Sequence, residues 1–112
     1  TGPAREHFLG LPPHLPSEVR SSSEPYAALM AATVRYKFGA TWGLAETGAA
    51  GPSGNRYGDA AGHTCIAVSG PVSAVITLET ASDAREDNMW VFTQAALDEL
   101  RKCIESRLAA SA

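Results

Sequence analysis

The residue types best suited to binding chemistry are concentrated at 46–58, which reads ETGAAGPSGNRYG. Glu46 and Thr47 form a polar pair at the end of a strand-like stretch, and a glycine-rich run comes next. Glycines let backbone N–H groups come close to an anion. In open sheets, ligands bind beyond the carboxyl ends of strands. One reading is therefore a phosphate or carboxylate held by the backbone of Gly48, Ala49, Ala50 and Gly51, with the Thr47 hydroxyl as a further donor. The other is a surface loop whose glycines only make turns. No G-K-[ST] follows, so this is not a Walker loop, and the G-x-G-x-x-G dinucleotide pattern is absent. Glu46 would serve as a base if buried beside Thr47; its plainer role is a surface or loop-anchoring carboxylate. Arg56 and Tyr57 are candidates to clamp a ligand or a neighbouring subunit.

The remaining reactive types are scattered. His7, His14 and His63 share no metal-ligand spacing, and neither a metal nor a cofactor is expected. His63 opens a strand, where a structural role is the simpler one. Cys65 and Cys103 read as buried small hydrophobes rather than nucleophiles. Trp42 and Trp90 read as packing residues. A threonine such as Thr1 at a free N-terminus can act as a nucleophile with its own amine as base, but nothing else in the chain supports that chemistry.

These residues need elements to hold them. Residues 2–11 read as a short helical segment, and prolines at 12, 13 and 16 keep the connection after it irregular. A helix is predicted over 24–38. Ser22 or Ser23 caps it, Pro25 is tolerated in its first turn, and Gly39 ends it. Its predicted buried face is Tyr26, Met30, Thr33, Val34 and Phe38. A strand starts at about Thr41. Residues 48–62 hold five glycines and a proline and are predicted to be irregular. Strands at about 63–69 and 72–80 flank Gly70-Pro71 and form an antiparallel hairpin. A long amphipathic helix over about 83–110 closes the chain, with a stripe of Met89, Phe92, Ala96, Leu100, Ile104 and Leu108. The order α–α–β–loop–β–β–α predicts a layered α/β domain, a small mixed sheet covered by helices.

The chain has 112 residues, 45% hydrophobic and 19% charged, which suits one folded domain. The formal charge is −3, so a broad nucleic-acid footprint is not expected. No apolar run approaches the roughly 20 residues of a membrane span, and a soluble, cytoplasmic protein is expected. A three-stranded sheet is small for this layout, and the chain opens inside what reads like an element. A single domain over 1–112 that is N-terminally incomplete is therefore expected. The exposed part of such a sheet needs cover, which predicts a homo-oligomer or an upstream segment.

The stretch ETGAAGPSG followed by GHTCIAV resembles the T-G-I-A-G-P-G-G … G-T-V-Y-I-A-V signature of the CinA C-terminal domain family, which includes nicotinamide mononucleotide deamidases. Residues 23–40 resemble that family's S-E-E-V-A … R-R-L-G-A helix without a gap. Residues 4–11 (AREHFLGL) resemble its A-K-x-x-L-L-G-V segment, and residues 83–89 (DAREDNM) its closing segment. The resemblance implies a CinA-C-like fold and hydrolysis of the amide of nicotinamide mononucleotide, giving nicotinic acid mononucleotide and ammonia. The ligand implied is a small mononucleotide. The family's serine nucleophile lies in an E-S-C-T-G-G type motif that this chain does not contain. Its lysine falls on Arg5. Arginine stays protonated and is no general base, though it can bind phosphate or steady an oxyanion. The family's threonine falls on Thr47, implied to contact substrate, and its arginine near the last helix on Arg85, implied to hold the anionic end. Glu46 stands where the family usually has a small apolar residue. A second implication is a non-catalytic mononucleotide-binding or oligomerisation module that lost the Ser–Lys machinery.

Overall fold

The computed structural model describes residues 20–111. The predicted helix at 2–11 and Arg5 lie outside the described residues. Helix α1 spans Glu24–Phe38. The Ser23 hydroxyl accepts from the Tyr26 N–H at its start, and Gly39 closes it at φ 59. Both ends follow the predicted chemistry, since a serine oxygen satisfies an orphan donor and glycine takes the left-handed turn cheaply.

Three strands come next: β1 at Gly43–Ala49, β2 at His63–Ser69 and β3 at Ala74–Glu79. Helix α2 spans Arg85–Ser111. The sheet order is β1-β2-β3. The layered α/β class holds, but within the described residues both strand pairings are antiparallel rather than mixed, with Thr47 opposite Cys65 and Cys65 opposite Thr77. A loop and a turn join the successive strands with no crossover helix, and such connections reverse the chain direction. Strand β1 runs on through Gly48 and Ala49, into the stretch predicted to be loop, because both residues pair with β2.

Strand β2 is central and buried along nearly its whole length. One sheet face packs on α1 through Ala27, Ala31, Ala45, Cys65 and Ala67. These side chains are small, so helix and sheet come very close. A Cβ added at Gly43 would lie 2.2 Å from the Ala31 carbonyl oxygen. The predicted α1 face is corrected accordingly. Tyr26 is buried, but the other buried positions are Ala27 and Ala31, and Phe38 is exposed. Close approach, not side-chain bulk, selects the face.

Successive strand residues point to opposite faces, so Thr64, Ile66 and Val68 lie on the other side of the sheet. Helix α2 covers that side, with Asn88, Phe92, Ala96 and Cys103 buried. The predicted α2 stripe is thus only partly right. Phe92 and Ala96 belong to it, while Met89 and Leu108 are exposed. No helix of the described residues is long and apolar enough to cross a membrane.

Candidate functional site

Two polar clusters flank the end of β1, one on each face of the sheet. On the α1 side, the Thr47 hydroxyl accepts from the Ser22 N–H at 3.0 Å. Ser22 is buried at φ 58, a left-handed conformation uncommon for serine. Its backbone is held on both sides, because its carbonyl also takes a bond from His63 Nε2 at 2.8 Å. Such a conformation persists where its surroundings over-determine it. His63 Nδ1 lies 2.5 Å from Glu79 Oε1 on β3. Asp59 Oδ2 stands 3.6 Å from Nε2 and is itself gripped by Arg20 at 2.7 Å and by Asn55 Nδ2 at 2.8 Å.

The electrostatics of the cluster come from these partners. A carbonyl and an ionised carboxylate only accept, so the two bonds are both complete in the form of His63 that carries a proton on each ring nitrogen. Burial pulls the imidazole down, but the bonds to Glu79 and to the Ser22 carbonyl, with the Asp59 charge, outweigh it and leave the ring raised. The Arg20 guanidinium and the Asn55 amide hold Asp59 below the usual carboxylate range. Burial pushes the Cys65 thiol up, which suits a packing residue and not a nucleophile.

The glycine-rich segment is ordered from within. Asn55 Oδ1 accepts from the N–H groups of Tyr57 and Asp59, an Asx-type turn. Arg20 and Arg56 both stack on the Tyr57 ring. The Tyr57 hydroxyl sits between the Ser21 hydroxyl and Arg56, which hold its pKa below the usual phenol range.

On the α2 side a cavity of about 270 Å³ opens, lined by Glu46, Gly48, Ala50, Arg85, Met89, Phe92 and Thr93. The buried Thr64 hydroxyl donates to Glu46 Oε2 at 2.5 Å. Gly48 faces Thr64 across the β1–β2 pairing, where a Cβ would lie 2.6 Å from that of Thr64. Arg85 Nη1 donates to the Gly51 carbonyl at 3.0 Å. The buried Asn88 amide donates to the Ala50 and Ser82 carbonyls, both at 2.8 Å, and its oxygen accepts from the Thr80 hydroxyl at 2.7 Å. The first turns of α2 thereby strap down the start of the loop.

The predicted site residues divide between the two faces. Gly48, Ala50 and Arg85 share the α2-side cavity with Glu46. Thr47 points the other way, to Ser22. Ala49 is the last residue of β1, and its carbonyl accepts from the Gly62 N–H. Gly51 is buried with its carbonyl turned to Arg85. Two features escape sequence reasoning, Asn88 and the partners of His63. Asn88 has a usable signal, a lone amide at helical spacing from Phe92 and Ala96. Of the groups around His63, Asp59 is a near neighbour four positions earlier, while Ser22 and Glu79 lie far from it in the chain.

Residues 2–104 match the CinA C-terminal domain. The chain belongs to this family. It is 38% identical over 97 residues to a CinA-like protein of Anaeromyxobacter sp. (strain K), covering 87% of this chain and 23% of that protein. A CinA-like protein of Gloeobacter violaceus is 40% identical over 83 residues, 71% of this chain and 19% of that protein. The chain thus spans about a quarter or less of the length of the curated relatives it matches. The crystal structure of a competence-damaged protein (CinA) superfamily protein from Escherichia coli superposes with a TM-score of 0.78 at 26% identity, covering 89% of this chain and 58% of that one. A superfamily protein from Enterobacter cloacae gives 0.73 at 26% identity, covering 92% and 62%.

Proposed function

We propose that this CinA-type domain binds a nicotinamide mononucleotide in the cavity between the end of β1 and the start of α2. Within a protein that also carries a serine nucleophile, it would form the binding half of an amidohydrolase releasing ammonia. The observation that carries this reading is a convergence. Gly48 and Ala50, from the signature segment, line one cavity with Arg85, which lies some 35 positions further on. Arg85 spends one nitrogen on the Gly51 carbonyl, and its guanidinium has further donors for an anion. The first turn of α2 adds the positive end of a long helix dipole. Phe92 and Met89 offer an apolar wall to a ring. The bond from the Ser22 N–H to the Thr47 hydroxyl favours a role in holding the α1 entrance against β1 rather than in touching ligand.

A second reading, a binding module without catalysis, is favoured by Arg5. An arginine in the position that corresponds to the family's lysine cannot take a proton from a serine. Ammonia release from nicotinamide mononucleotide, measured with the full-length protein beside calorimetric binding, separates the two. Turnover supports the amidohydrolase. Binding without turnover supports the module. Neither binding nor turnover would sink both.

A further inference from the structure

Two guanidiniums face one phenol ring in the glycine-rich segment. The Cζ atoms of Arg20 and Arg56 stand 4.9 Å and 5.0 Å from the centre of the Tyr57 ring. Arg56 Nη2 donates to the phenol oxygen at 2.9 Å, and the Ser21 hydroxyl adds a longer contact at 3.4 Å. A guanidinium has donors only, so the phenol oxygen is set as an acceptor. Arg20 is itself held in place, because both its terminal nitrogens reach the Asp59 carboxylate, at 2.7 Å and 3.4 Å. The bond from the Tyr57 N–H to Asn55 Oδ1 fixes the backbone beneath the ring.

We propose that Tyr57 is a nucleophilic tyrosine, a covalent-modification site whose phenol oxygen takes an acyl group from an activated acyl donor. The phenol proton passes to solvent, and the oxygen attacks the donor's carbonyl carbon. An O–C bond forms and the bond from that carbon to its leaving group breaks. The leaving group departs with the electron pair and takes up a proton. The anion is the stronger nucleophile. The bonds from Ser21 and Arg56, with the Arg56 charge, favour it and hold the phenol below its ordinary range. Arg56 spends one nitrogen on the phenol oxygen and keeps further donors nearby for the charge that gathers on the carbonyl oxygen. Tyr57 is only half-buried, so a donor can reach it. The site belongs to the cluster on the α1 side and does not depend on the α2-side cavity.

The chain has three tyrosines, which supplies a reference within the same molecule. Tyr26 is 2% exposed and Tyr36 90%. Among the described residues no arginine lies over the Tyr36 ring. Exposure alone would therefore rank Tyr36 first. N-acetylimidazole applied to the full chain at about pH 7.5, followed by peptide mass spectrometry, should instead acetylate Tyr57 about fivefold faster than Tyr36. Hydroxylamine removes acetyl groups from tyrosine oxygens and so separates them from acetylated lysines. Arg56→Gln should bring Tyr57 down to the rate of Tyr36 or below it. An unchanged Tyr36 rate and an unreactive Tyr26 show that the variant is folded. Ser21→Ala should slow Tyr57 in the same sense and provides a second, independent variant. Tyr57 reacting no faster than Tyr36 in the unaltered protein overturns the proposal. A preference for Tyr57 that survives both substitutions overturns it too, since its surroundings would then not be the cause.

Discussion

His63 binds two acceptors with two ring nitrogens, and that alone makes it a pH-dependent tie. It joins the start of β2 to the Ser22 carbonyl before α1 and to Glu79 at the end of β3. Asp59, Arg20 and the Cys65 thiol complete its surroundings. The folded ring is raised above its ordinary 6.5, despite the burial that opposes this. A raised imidazole contributes stability in full below the unfolded value. That contribution is lost as pH climbs through the folded value. The urea midpoint of the chain should therefore fall between about pH 6 and pH 8. His63→Gln should be less stable at the acid end and show a flatter profile. A histidine ring titrating at or below the free value by NMR would contradict the tie.

At the scale of elements, two glycines separate conformational from steric demands. Gly39 ends α1 at φ 59 with open space where a Cβ would go. Gly43 starts β1 where a Cβ would strike the backbone of α1. Gly39→Ala should cost about 1 kcal/mol, the ordinary penalty for a left-handed alanine. Gly43→Ala must push helix from sheet across the alanine interface and should cost more, about 2–3 kcal/mol. Chemical denaturation of the two variants gives the order directly. Equal losses would mean that the helix–sheet contact yields easily. The same packing explains why α1 is only half legible in the sequence. Its ends are set by Ser23, Pro25 and Gly39, which act locally. Its buried face depends on what the helix meets, and a sheet lined by Ala45, Cys65 and Ala67 selects Ala27 and Ala31 over bulkier neighbours.

Across the whole molecule, the described residues leave large apolar side chains uncovered along α2. Met89, Trp90, Leu97 and Leu108 are each at least half exposed. Strands β1 and β3 are both edges of a three-stranded sheet. Unpaired edges and a half-covered helix invite association. Light scattering of the full chain should give at least a dimer, and Leu97→Glu should lower the mass if α2 forms the contact. A monomer in both cases would contradict self-association.

The boundaries of α1, β2 and α2, and the antiparallel hairpin, are readable from local signals: caps, turn residues and periodicity act on neighbours in the chain. The family is readable because the signature at 46–54 is continuous. The sidedness of the site, by contrast, comes from long-range packing. Glu46 and Thr47 are adjacent in sequence, yet the strand alternation sends one to the α2 cavity and the other to Ser22. Whether residues 48 and 49 are loop or strand is likewise set by pairing with β2, a distant contact that composition does not encode. Arg85 and Asn88 meet the glycine-rich segment only because α2 crosses the sheet face beside β1. Ser22 and Glu79 reach His63 from distant segments, while Asp59 stands only four positions before it.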